Sequence, residues 1–347
     1  MVRASGQLPA APGPAPGDDA RDDARDDAGQ AEVHAASQGA LEELASRLGR
    51  LAMVDQPLGS RTTYRVGGSA AVMVEAGSTD DLLAVSEALR PLAGSVPVLV
   101  LGNGSNLLVA DRGFGGLVVS PGRSMAEVEI AGTTLRVGAA SSMPVVARQA
   151  SAAGLMGFEW AVGIPGSVGG AVCMNAGGHG SDMAAVLLGA RAVDLVAGRV
   201  VDLPAERLGL GYRTSAIGSG QVVVSAELSL EAGDAAEAMA QIGEIVRWRR
   251  EHQPGGSNAG SVFMNPEGDS AGRLVEQAGL KGFRMGSARV SEKHGNFIQA
   301  DEGGSADDVA RLVFHVQGVV AERLGVWLTP EIRMVGFDQA GSAGSPP

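Results

Sequence analysis

Short apolar runs broken by glycine and charge dominate the chain from residue 71 to 230. Those at 71–75, 97–101, 107–109, 116–120, 127–130 and 134–138 read as strands, and the pattern returns at 190–195, 199–203 and 221–230. Helices interrupt them. An amphipathic stretch covers 41–51. Ser78 or Thr79 caps a second helix, with Asp80 and Asp81 in its first turn and Pro91 beyond its end. A third, at 143–153, is closed by Gly154. Beyond residue 231 the pattern turns helical, from Asp234 to His252 and then at 271–278 and 306–324, with stops at Pro254, Gly279 and Gly325. Strands at 286–290, 296–300 and 331–335 accompany them. Strands mixed with isolated helices, without a regular βα repeat, predict an α+β fold.

This pattern divides the chain. Residues 1–38 are Ala, Gly, Pro, Asp and Arg in low-complexity order and predict a disordered tail. A β-rich region follows at 56–230, and a smaller α+β domain at 231–338 is expected to stand apart from it.

Composition narrows the function more than the fold. The 347 residues carry a net charge of −12 and only two lysines, Lys281 and Lys293, which argues against a nucleic-acid surface. No apolar run approaches the roughly 20 residues of a membrane helix, so a cytoplasmic protein without membrane insertion is expected. The single cysteine, Cys173, lies between Val172 and Met174 and reads as packing. Arg247, Arg249 and Arg250 cluster around Trp248, and an anion site and a solvated helix face over a buried tryptophan fit that cluster equally well. None of the five histidines stands at metal-pair spacing, and no metal is expected.

Two glycine-rich stretches carry the chemistry. One is Gly102-Asn103-Gly104-Ser105-Asn106. The other runs over 157–180 and holds eight glycines in 24 residues, with Gly163, Ile164, Pro165, Gly166, Ser167, Gly169, Gly170, Asn175 and Gly177 among them. A dinucleotide fingerprint would need glycine where Leu107 stands, and no Gly-Lys dipeptide provides a Walker loop. Two readings remain from the residues alone. The stretches are simple turns between strands, or they form a loop-built cradle whose free amides hold a pyrophosphate, with Ser105, Asn106 and Asn175 adding side-chain donors.

Seven strings in order give a stronger signal than any one alone: TTYRVGG at 62–68, LGNGSNLLVAD at 101–111, EWAVGIPGSVGGAVCMNAGG at 159–178, GYRTS at 211–215, NAGSVFMNP at 258–266, GRLVEQAGLKG at 272–282 and LTPEIR at 328–333. In these the chain resembles the UDP-N-acetylenolpyruvoylglucosamine reductases, from about Leu58 to Phe337. The resemblance implies a two-lobed FAD-binding module of the vanillyl-alcohol-oxidase type, followed by a smaller α+β domain over a sugar nucleotide. It implies non-covalent FAD in the glycine cradle, NADPH as co-substrate, and a place in peptidoglycan synthesis. By the same resemblance Arg213 meets the substrate carboxylate, Ser261 protonates the carbanion, and Glu331 is the third catalytic group. Tyr212 and Asn265 are implied as substrate contacts. Met264 stands where many relatives carry lysine.

Overall fold

Ser37 sets where the fold begins. Its hydroxyl accepts from the Ala40 amide and starts helix α1 (Gln38–Leu48), which buries Leu44 and Leu48. The cap places this helix ahead of the start at 41 that hydrophobicity alone suggests. The computed structural model describes residues 36–337. The expected tail at 1–38 therefore lies outside the described residues except at its end, where Ala36 donates to the Gly115 carbonyl and Gln38 is already helical.

Helices α1 and α2 (Thr79–Leu89) belong to the first lobe. Ser78 caps α2 by accepting from the Asp81 amide, and both acidic residues of its first turn suit the positive end of the helix. The lobe's sheet runs in the order Met53–Pro57, Ser69–Ala76, Phe114–Pro121, Val98–Val100, antiparallel at the first pair and parallel thereafter. Period-two alternation divides its side chains between two cores. Val72, Val74, Leu117 and Val119 face the helices, whereas Met73 and Val118 join Leu99 and Leu101 on the other side.

The second lobe is a five-stranded antiparallel sheet in the order Arg199–Pro204, Leu187–Asp194, Gln221–Ser229, Thr134–Gly138, Val128–Ala131. Helix α3 (Met143–Ala152) and the short α4 (Val168–Cys173) cover it. The latter is a finding against the sequence reading, which made the whole second glycine run a loop. Ser167 accepts from the Gly170 amide and starts a helical turn in spite of two glycines within it.

Helix α5 (Ala235–His252) starts at Asp234, whose carboxylate accepts from the Glu237 amide. Its Ile242 enters the second lobe's core, beside Val146 and Trp160. Drawn by core membership, the break expected at 231 therefore falls after α5, near Gln253. The last segment carries α6 (Ala271–Gln277), α7 (Ala306–Leu324) and a small antiparallel sheet of Arg284–Met285, Ala288–Val290 and Ile298–Ala300. The strand expected over 286–290 is thus a hairpin, turned at Gly286 with φ +56°.

This last segment does not stand apart from the first lobe. Tyr64, Val66 and Leu108 sit in its core with Phe263, Leu312 and Val316. Its final strand, Arg333–Val335, pairs in parallel with Leu107–Val109 directly after the first glycine loop. Asp111 accepts from the amides of Ala306 and Asp307, capping α7 from another part of the chain.

Candidate active site

The two glycine stretches face each other across one cavity of about 690 Å³, continuous with a second hollow of about 890 Å³ through shared walls at Gly102, Asn103, Pro165, Ser167 and Arg249. Every residue assigned to the cofactor from sequence lines the first cavity except Asn175. Close approach favours glycine at two positions of the first stretch. A Cβ on Gly102 would stand 2.5 Å from the Ser167 hydroxyl oxygen, and one on Gly104, where φ is +59°, 2.4 Å from the Arg61 carbonyl oxygen. Among the described residues, the amides of residues 102–106, 166 and 167 donate to no protein acceptor. Two rows of free donors on opposed loops are what a diphosphate needs. This geometry favours the cradle over simple turns.

Two of the three expected side-chain donors serve another purpose. Asn106 Nδ2 donates to the Glu331 carbonyl at 2.9 Å. Asn175, buried at φ +40°, accepts from the Ala184 amide through Oδ1 and donates through Nδ2 to the Gly211 carbonyl at 2.9 Å and to Asp182. Ser105 makes no hydrogen bond within the protein and stays available to a ligand.

Arg213, Ser261 and Glu331 all line the same cavity, although they lie on three separate segments. Arg213 stands on a turn closed by the Gly211/Thr214 bridge, at φ +58°, a conformation that costs a non-glycine residue about 1–3 kcal/mol. Its Nε donates to Glu331 Oε1 at 2.7 Å and its terminal nitrogen to the Gly177 carbonyl at 3.0 Å. Glu331 is brought in by its backbone, whose amide donates to the Val262 carbonyl at 2.7 Å. The same pairing carries Ser261, and Asn296 fixes that segment by accepting from the Phe263 amide and donating to the Phe263 carbonyl. Burial pushes the Glu331 carboxyl up from its ordinary pKa, against the opposing charge and hydrogen bond of Arg213.

Tyr212 and Asn265 do not line this cavity. Tyr212 is exposed beside the Arg213 turn, with the guanidinium 5.2 Å from its ring centre. Asn265 accepts from the Ala271 amide and so holds the start of α6. Trp248 is not buried as the second reading of the arginine cluster required. It is half-exposed at the cavity wall, stacked on His252 with ring centres 4.7 Å apart and edge-on to His179. Its neighbour Arg249 lines both hollows, so the anion-site reading is the one the geometry favours.

Arg333 is a cavity residue that the sequence reading missed. It lies two positions after Glu331, at the first residue of the last strand, and lines the same cavity. That spacing in LTPEIR was the available signal. Burial lowers the pKa of both Arg249 and Arg333, yet a guanidinium keeps its charge at neutral pH, and neither side chain has an ion pair among the described residues. Burial likewise pushes the Cys173 thiol up to about 11, so this cavity cysteine is held as an unreactive thiol. The described residues contain no group of three metal-ligating side chains, and none of their helices is long and apolar enough to cross a membrane.

The comparisons with known proteins follow this geometry. A family profile described as UDP-N-acetylenolpyruvoylglucosamine reductase, C-terminal domain, matches residues 252–335, and one described as FAD binding domain matches residues 70–204. The chain is 44% identical to the UDP-N-acetylenolpyruvoylglucosamine reductase of Rubrobacter xylanophilus, over 84% of this chain and 97% of that one. It belongs to the UDP-N-acetylenolpyruvoylglucosamine reductase family. The Bacillus subtilis reductase is 38% identical over 85% of this chain and 98% of its own. The crystal structure of the Thermus caldophilus reductase superposes with a TM-score of 0.71 at 36% identity, covering 82% of this chain and 99% of that one. As a member of the family the chain is an FAD-dependent oxidoreductase with an FAD-binding module followed by the family's C-terminal domain. The free amides of the two loops, with Arg249 and Arg333 beside them, fit that cofactor's diphosphate.

Proposed function

We propose that the protein reduces UDP-N-acetylglucosamine enolpyruvate to UDP-N-acetylmuramate with NADPH, in the cytoplasmic stage of peptidoglycan synthesis. One observation carries this reading: Arg213 and Glu331, in contact at 2.7 Å, share the cradle-lined cavity with Ser261. Bound FAD supplies hydride transfer, from the nicotinamide to the methylene carbon of the enolpyruvyl ether.

The residues answer the charge that this transfer creates. Hydride at the methylene carbon leaves a carbanion delocalised into the neighbouring carboxylate. Arg213 offers that carboxylate a fixed positive charge whose worth grows as charge develops on it. Glu331, its pKa already raised by burial, is suited to take a proton when an anionic substrate arrives beside it. Ser261 delivers a proton to the carbon, a step that tolerates a weak acid because the acceptor is strongly basic. Tyr212 is assigned to the rim of the substrate site, and Asn265 to the start of α6 rather than to the sugar nucleotide.

The two half-reactions are separable, and Ser261→Ala tests the reading. Under anaerobic conditions NADPH should bleach the variant's flavin at nearly the wild-type rate, while reoxidation by the enolpyruvyl sugar nucleotide falls by about 10²-fold or more. Equal loss in both halves would remove Ser261 from the proton step. A wild-type flavin that this substrate does not reoxidise would overturn the whole reading.

A further inference from the structure

Each member of the Arg213–Glu331 pair is tied to one of the cradle's two glycine stretches by a buried or half-buried asparagine. From the first stretch, Asn106 donates to the Glu331 carbonyl at 2.9 Å, and its own carbonyl accepts from the Arg333 amide at 3.0 Å. From the second, Asn175 donates to the Gly211 carbonyl at the base of the turn that carries Arg213. Two more bonds join that turn to the same stretch. Ser215 Oγ donates to the Cys173 carbonyl at 2.8 Å, and Arg213 itself donates to the Gly177 carbonyl.

These bonds matter because neither catalytic side chain is held by a regular element at that point. Arg213 occupies a left-handed backbone conformation that relaxes unless its surroundings fix it. Glu331 precedes the last strand, and its amide and carbonyl, with the Phe263/Pro330 bridge beside them, set its height against Ser261. The two glycine stretches come from different lobes, so the asparagines refer both halves of the pair to the surfaces that face the cofactor.

We infer that Asn106 and Asn175 are positioning residues for the second half-reaction, whose side chains hold Glu331 and Arg213 in register with the cofactor cradle and do not contact the cofactor's phosphates. The inference rests on the reductase reading above. It also separates the two asparagine side chains from Ser105 and from the amides of Gly102, Gly104 and Gly166, which keep free donors toward the cavity.

Leucine tests it at each position, since Asn106→Leu and Asn175→Leu keep roughly the outline of the side chain and remove the donor without adding a charge. Flavin affinity, read by fluorescence titration of the apoprotein, should stay within about threefold of wild type. Flavin bleaching by NADPH should do the same. Reoxidation by the enolpyruvyl sugar nucleotide should slow by about 10–100-fold in kcat with little change in KM, the scale of a reacting group displaced by about 1 Å. Asn106→Leu in a Glu331→Gln background should add little further loss, because the asparagine acts through that residue.

A rise in the FAD dissociation constant, with turnover restored by excess FAD, would make the asparagines cofactor ligands and overturn the inference. Wild-type reoxidation in both variants would overturn it as well. Failure of the wild-type protein to reoxidise would instead overturn the reductase reading beneath it. Should a leucine variant not fold, the alanine variant at that position carries the same titration and half-reaction measurements.

Discussion

At the scale of single residues, Tyr64 and Glu331 show burial acting on two different polar groups. Tyr64 is fully buried among apolar side chains and its hydroxyl has no hydrogen-bond partner. Burial drives its phenol pKa upward, which keeps it neutral but does not satisfy it. Tyr64→Phe should therefore raise stability by about 1 kcal/mol in chemical denaturation, and a loss of that size would mean the hydroxyl is solvated or bonded. Glu331 has an upward shift that is a statement about stability. Its folded pKa lies above its unfolded one, so its contribution is fully present below the unfolded value and is lost as pH rises through the folded value. The stability of Glu331→Gln relative to wild type should accordingly increase between pH 4 and 7, measured by denaturation midpoints across that range.

At the scale of elements, the glycine loops were legible as chemistry and less legible as structure. Strand and helix positions followed from alternation and caps, as at 134–138, Asp234 and Gly325. Helix α4 was hidden because glycine has poor helix propensity, and only the Ser167 hydroxyl marks its start. Asn106 and Asn175 were read as phosphate donors because sequence shows the donor and not the carbonyl it reaches; those carbonyls lie 225 and 36 residues away. Arg249 was undecided for a related reason, since the side of α5 that is lined by cavity depends on packing against the second lobe. The loops also differ from ordinary turns in a measurable way. Gly104→Ala adds a Cβ 2.4 Å from a backbone oxygen at φ +59°, and should cost about 1–3 kcal/mol of stability and weaken FAD uptake. Gly94→Ala, at φ +77° with nothing within 4 Å, should bind FAD as the wild type does. Denaturation and flavin titration of both variants check this.

At the scale of the whole molecule, the sequence divided the chain at 231, whereas the packing interlocks its ends. Tyr64, Val66 and Leu108 fill the C-terminal core, and Asp111 caps α7. A fragment spanning 253–347 lacks those side chains and should be unfolded by circular dichroism, while the full chain should melt in a single transition that FAD shifts upward. The parallel pairing of Arg333–Val335 with Leu107–Val109 carries a consequence in time. The segment flanking the first glycine loop lacks that hydrogen-bonded neighbour until residues 333–335 have left the ribosome. Flavin uptake should therefore wait for that strand, and a nascent protein stalled before residue 333 should emerge colourless.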